Sequence, residues 1–337
     1  LSKRDIIWLA MLSCVLILMA LPRFNWNDVG AIKSLTGGTH ASNSDQYIDM
    51  TLYFRGEKPA DGIHSPYAYR PLVPLLASKL PFEAMTAINL INLAAIVAAM
   101  ISLYCILAWL KFGFRLRVIG CGMFVVSFPT FYYTTIGFID PVAVFIMAIG
   151  LYLIFLRKWV WLAVAVFFGT LVKETSIVLV LALAIYLFFD RRLFTKEGLA
   201  LPLIFLAFAA GLYISRTLIP VSPGYVWIPS FDNLMSNLLR PRSSLSFLLS
   251  FGVPGIVSVF IFHYRKTGWF HERLAETLCL IAGVAIAIIL HIYSMIAAFA
   301  DGRIIWLSYP FLIPLAVIVF DEMGKQRKQE DRGNYTA

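Results

Sequence analysis

The chain has 337 residues, of which 60% are hydrophobic and 14% charged, with a formal net charge of +9. Soluble domains carry about 25% charged residues, so with a mean hydropathy of +0.80 the composition excludes an ordinary soluble enzyme and points to a polytopic membrane protein. The basic residues flank apolar runs and form no basic stripe, which argues for membrane orientation and against a nucleic-acid partner.

A spanning helix needs about 20 apolar residues. Candidate spans run at 6–22, 85–110, 117–135, 141–156, 159–172, 175–190, 198–215, 246–263, 276–295 and 304–320. The sequence therefore predicts an all-α polytopic membrane protein of about ten transmembrane helices, forming one membrane domain over 1–337. The first run has the basic start of a signal peptide but no small-residue cleavage site, and an uncleaved first helix is expected. Most of the 28 Lys and Arg residues fall in short segments on one side if the N-terminus is cytoplasmic. Both termini are then cytoplasmic, with 321–337 a solvated tail. The long loop 23–84 lies outside, together with "TTIGFIDP", the "KET" turn, 216–245 and "ADGRI".

The outer side collects the ionisable residues Asp45, Asp49, Arg70, Asp140, Lys173, Glu174, Arg216 and Arg303. Charged groups at membrane depth are costly and face a bundle interior or a watery cavity. Lys173 and Glu174 read either as a turn between two helices or as a charged pair lining such a cavity. Asp140 before Pro141 reads as a helix N-cap or as a site residue. Arg303 is a headgroup anchor or a ligand group. The cations Arg70, Lys173, Arg216 and Arg303 suit a phosphate or pyrophosphate.

Within the first loop, "SDQYIDMTLYFRG" places Asp45, Ile48, Asp49 and Leu52 on one helical face, with Ser44 as cap and Gly56 as stop. The following "PYAYRPLVPLLASKLP" reads as an amphipathic stretch whose Leu72, Val73, Leu75 and Leu76 could lie along the membrane surface. The four cysteines sit in apolar runs without metal or redox spacing. His40, His64, His263, His271 and His291 form no ligand motif, and no metal or cofactor is expected.

A short N-terminal segment, one span, and an outer loop with Asp45, Tyr47, a helix ending at Gly56 and then "YRPLVPLLASKLP" resemble the membrane-embedded glycosyltransferases of the GT-C type. These include protein mannosyltransferases and the lipid A aminoarabinose transferase. "LVKETS" and "DGRIIWLSYPFLIP" resemble later segments of those proteins. Many relatives carry two adjacent acids in the first loop, where this chain has Asp45-Gln46 with its second acid at Asp49. The resemblance implies an inverting transfer of a sugar from a polyprenyl-phosphate donor to an acceptor hydroxyl of a lipid, glycan or protein. The reaction would occur on the periplasmic side of a bacterial inner membrane. It implies Asp45 as general base with Asp49 in reserve, and Lys173, Arg303 and then Arg70 on the donor phosphate. Glu174, Asp140, Tyr67, Tyr69 and Tyr309 would contact substrate, although the tyrosines equally suit an aromatic belt.

Three rivals differ in testable ways. A flippase for lipid-linked sugars needs no outer carboxylate and favours Gly- or Pro-broken segments, for which Gly150 and Gly169 are candidates. A polymerase acting on lipid-diphosphate glycans would rely on late-loop arginines such as those of "RPRSS". A scaffold leaves the one-sided polar residues unexplained.

Overall fold

The computed structural model describes residues 2–24, 43–219, 228–264, 268–298 and 300–334. Part of the expected first loop, 25–42 with His40, lies outside the described residues. Among the described residues every regular element is a helix.

Helix α1 spans Lys3–Ala20 and opens on a Ser2–Asp5 capping box. The loop that follows contributes α2 (Asn43–Arg55) and the short α3 (Leu72–Ala77). Then come α4 (Ala84–Trp109), α5 (Phe114–Val125), α6 (Phe128–Tyr133), α7 (Asp140–Phe155), α8 (Trp159–Val172), α9 (Ile177–Phe189) and α10 (Ala200–Thr217). The remainder is α11 (Phe231–Leu239), α12 (Pro241–Val259), α13 (Gly268–Glu272), α14 (Leu274–Ala297), α15 (Arg303–Trp306) and α16 (Tyr309–Asn334).

Five segments are long and apolar enough to cross a membrane: Lys3–Arg23, Ala84–Trp109, Lys196–Thr217, Pro241–Phe262 and Leu274–Ala297. By length and composition this is a membrane protein. Asp140–Phe155, Trp159–Val172 and Glu174–Phe189 are equally apolar but shorter. The expected third span divides into α5 and α6, because Ser127 caps a new helix by accepting from the Thr130 amide. The expected tenth divides into α15 and α16. Gly150 and Gly169 sit inside α7 and α8, where they allow close approach of Leu179 and Ile146. Their small size serves helix packing rather than a break in the helix.

The core sits along the first half of α16. Every residue from Ile305 to Val319 is buried, and α16 packs against α5, α7, α12 and α14. Around it α4 packs on α7, α8 on α10, and α9 on α14. The outer faces of α10, α12 and α14 stay apolar and exposed, as at Phe205, Leu206, Leu248, Ile256 and Ile289. Such faces suit lipid rather than water.

The bundle has two distinct polar ends. At one, Asp5 accepts from Tyr104 Oη and lies 3.5 Å from Arg117. Arg157 and Arg192 each meet Asp190 at 2.9 Å. Three helices ending there, α4, α7 and α9, each finish with a basic residue in left-handed backbone: Lys111 (φ 65°), Arg157 (φ 55°) and Arg191 (φ 58°). Glycine usually takes that position; here cations take it, where the helix dipole favours positive charge. The opposite end holds the acids and cations singled out in the sequence.

Candidate functional site

Four helix ends and the first loop build this second end. Helix α7 begins with Asp140, whose carboxylate makes no cap on its own helix. The cap expected of it is absent because both oxygens are engaged elsewhere. Lys173, at the end of α8, donates to Asp140 Oδ1 at 2.5 Å, and Arg303 NH1 lies 3.7 Å from Oδ2. Asp140 thus holds two cations side by side. Side-chain exposure is 3% for Asp140, 11% for Lys173 and 19% for Arg303, so this is a nearly dry network in which attraction is strong.

Arg303 is fixed from three directions. Its Nε donates to Asp301 Oδ1 at 2.8 Å, and its backbone amide donates to the same oxygen at 3.1 Å. Its guanidinium lies 4.1 Å from the centre of the Phe138 ring, a cation–π arrangement. Phe138 is placed in turn by α4: Asn92 donates to its carbonyl at 2.5 Å, and Asn89 accepts from the Gly137 amide at 2.9 Å. Gly137 has φ 79° and would bring a Cβ to 3.0 Å from Ser44 Cβ. Glycine is required there both by conformation and by the closeness of α2.

Glu174 does not pair with its neighbour Lys173. It receives both Nε and NH2 of Arg70, at 3.0 and 2.5 Å. This is a bidentate fork. Arg70 NH1 donates to Tyr47 Oη at 3.2 Å, which links α2 to the turn after α8. Partial burial would raise the Glu174 pKa, but the Arg70 guanidinium overrides it and holds the carboxyl at about 2. Burial pushes the Tyr47 phenol up to about 12, against the opposing pull of Arg70, so Tyr47 stays protonated.

The two candidate bases occupy a different face. Helix α2 buries Ser44, Gln46, Tyr47, Met50 and Thr51, while Asp45, Ile48 and Asp49 are partly exposed. At about 100° per residue the acids point away from the face that reaches Arg70. Asp49 pairs with the exposed Lys58 at 2.6 Å. Gln46 binds the Gly62 carbonyl and the His64 amide, which fastens the following loop to α2. The helix stops at Gly56 with φ 76°. The amphipathic stretch expected to lie along the membrane folds inward instead. Val73, Pro74 and Ala77 of α3 are buried against α2 and α4, and only Leu76 is exposed.

The structure thus brings together Arg70, Asp140, Lys173, Glu174 and Arg303. Each of the three cations is matched by a carboxylate, and none stands ready for a phosphate without sharing. Arg70 turns Nε and Nη2 to Glu174 and Nη1 to Tyr47, which makes it a brace. Tyr67 stacks edge-on against Tyr47 at 5.8 Å, and Tyr69 lies beneath Arg216 at 5.1 Å. Tyr309 is fully buried against Phe124 in the helix core, where no sugar reaches it. Its expected contact with sugar therefore finds no exposed surface of Tyr309 in this structure. Sequence reasoning missed Tyr47 as a ligand of Arg70, and it missed Asp301, Asn89 and Asn92. The signals were an Asp two residues before an Arg, and two asparagines one helical turn apart in an apolar span. Among the described residues no group of three His, Cys, Asp or Glu side chains is placed to hold a metal ion.

No protein-family model, curated protein or solved structure matches the chain.

Proposed function

We propose that this chain is an inverting glycosyltransferase of the GT-C type, moving a sugar from a polyprenyl-phosphate donor to an acceptor hydroxyl. The observation that supports it most is convergence. Residues from five separate segments, at 47, 70, 140, 173–174 and 301–303, meet at one end of the bundle beside the helix that carries Asp45 and Asp49. The basic helix ends lie at the other end, which favours that end as cytoplasmic and this one as periplasmic in a bacterial inner membrane.

In this reading the donor's tail lies among the exposed apolar helix faces and its phosphate approaches Arg303 and Lys173. Asp140 and Asp301 balance the charges of Lys173 and Arg303, so an incoming phosphate shares these two cations with the two carboxylates. Asp45 takes the proton of the acceptor hydroxyl. The oxygen attacks the anomeric carbon, the carbon–phosphate oxygen bond breaks, and the lipid phosphate leaves with the bonding pair. One displacement inverts the anomeric centre. Asp45 is preferred over Asp49 because it comes first in the helix and its neighbours Gln46 and Tyr47 resemble the pattern of that family. Arg303 and Lys173 stabilise the charge that grows on the phosphate.

The test is sugar transfer by purified protein in nanodiscs, with radiolabelled polyprenyl-phosphate sugars and crude membrane acceptors. Wild type should transfer label, Asp45→Asn should lose about 10²–10⁴-fold in rate, and Asp49→Asn should keep most of it. If no donor yields transfer or hydrolysis while labelled lipid crosses liposomes, the chain is a flippase instead.

A further inference from the structure

Helix α11 runs over Phe231–Leu239, nine residues. At 1.5 Å per residue it is about 14 Å long, roughly half of an apolar bilayer core, so it cannot span. Its residues divide into three sectors at about 100° per residue. Phe231, Leu234, Met235 and Leu238 form one, with Phe231 69% and Leu238 51% exposed. Asp232 and Ser236 form a second, exposed sector, and Leu239, 80% exposed, stands at its border with the apolar one. Asn233 and the buried Asn237 form the third, turned toward the protein.

Asn237 is the hub of that third sector. Its amide donates to the carbonyls of Met295 and Ala298 at 2.8 and 2.7 Å, and its oxygen accepts from the Ala300 amide at 3.1 Å and from Ser243 Oγ at 3.2 Å. Ser230 adds a backbone bond to the Ile296 carbonyl at 3.0 Å. The connection from α14 to Asp301 and Arg303 therefore hangs on α11. Two residues beyond Ala300, the Gly302 amide is held by Ser246 of α12 at 2.8 Å.

The occupant of the apolar sector follows from its continuation. After Arg240 the chain turns straight into α12, the apolar segment long enough to cross a membrane, whose Leu245, Leu248, Val253 and Ile256 are at least 56% exposed. The apolar face of α11 runs into this lipid-facing surface. Arg240 and Arg242 stand exposed at the corner, the level at which arginines meet lipid phosphates.

We propose that α11 is an in-plane membrane anchor whose apolar sector rests in the outer boundary of the bilayer, and that Asn237 transmits its position to the connection bearing Asp301 and Arg303. Asn237 is then a positioning residue, acting through Arg303. The inference stands apart from the transferase reading, since neither lipid contact nor the hub depends on what the site does.

The test uses the full chain in nanodiscs of phosphatidylethanolamine and phosphatidylglycerol, with Cys14 and Cys105 replaced by serine. Nitroxide labels are placed singly at Leu238→Cys and Ser236→Cys. The Leu238 label should relax with oxygen, which concentrates in lipid, and the Ser236 label with a water-soluble nickel chelate. Equal access of nickel to both labels would overturn the anchor, as would a Leu238 label closed to both agents, which would mean that protein covers it.

Transmission is read by hydrogen exchange of the peptide holding Ala300 and Gly302. Leu238→Asp should speed that exchange roughly tenfold, the effect of losing about one hydrogen bond, while leaving α4 unchanged. Asn237→Asp, which keeps the acceptor and loses the donor, should do the same if α11 itself remains protected. Unchanged exchange at Ala300 and Gly302 in Leu238→Asp would overturn the transmission.

Discussion

Lys173 turns away from the adjacent Glu174 and donates to Asp140, 33 positions earlier in the chain. Glu174 in turn takes Arg70, 104 positions away. The two neighbours thereby pull two different parts of the protein, the start of α7 and the first loop, onto one turn. Four predictions follow from this arrangement and from the helix ends opposite it.

Removing Asp140 leaves Lys173 as a buried charge without its partner. Losing one member of a buried pair costs about 3–5 kcal/mol. Asp140→Asn should therefore lower the thermal midpoint in detergent markedly. Adding Lys173→Met should recover most of the loss, because the desolvated charge is gone. Equal destabilisation by the single and double variants would show that the pair is not what Asp140 serves.

The Arg70–Glu174 fork should loosen in acid. Glu174 is held at about 2 against an ordinary 4.5, so its folded pKa is depressed. Its contribution is complete above about 4.5 and is lost as the pH falls toward about 2. The carboxylate side chain is 44% exposed, so solvent screens the pair and the effect is modest. Hydrogen exchange in the Tyr67–Arg70 turn, corrected for intrinsic rates, should rise across that window in wild type. In Glu174→Gln it should be raised throughout and lack the transition.

Arg303 should matter for the donor more than for the fold. Its guanidinium meets Asp301, Asp140 and Phe138 at once, and lysine cannot reproduce that fork. If the transferase reading holds, Arg303→Lys should reduce transfer by about 10²-fold while the protein still purifies as a folded monodisperse species. Transfer at the wild-type rate would remove Arg303 from the phosphate site.

At the opposite end, Lys111 pays the left-handed cost of about 1–2 kcal/mol that glycine avoids. Part is returned by its charge at the end of α4. Lys111→Gly should therefore stabilise by about 0.5–1 kcal/mol in a thermal-shift measurement. Destabilisation would mean that the lysine side chain makes a contact worth more than the backbone relief.

Much of the helix inventory was legible because apolar length and stop signals are local properties. The run 85–110 became Ala84–Trp109, 159–172 became Trp159–Val172, and Gly56 ended the first-loop helix, which starts at Asn43 and so takes the expected cap Ser44 into its first turn. The clustering of ionisable residues at helix ends was legible for a similar reason: charge is expelled from apolar runs wherever they occur. Which charges pair was not. "LVKETS" reads as two adjacent opposite charges, yet the chain reverses at that turn and the two side chains leave in different directions. "IDP" reads as a cap, yet a carboxylate prefers two nearby cations to one backbone amide.

The sequence by itself determined that this is an all-helical membrane protein with its ionisable residues at the helix ends, since composition and helix length depend on neighbours in the chain. Only the tertiary structure decided that Asp140 bridges Lys173 and Arg303, that Tyr47 rather than Asp45 reaches Arg70, and that Tyr309 is core. Those outcomes depend on the rotation of each helix about its own axis and on the depth at which it packs. Both are fixed by contacts between residues far apart in the chain.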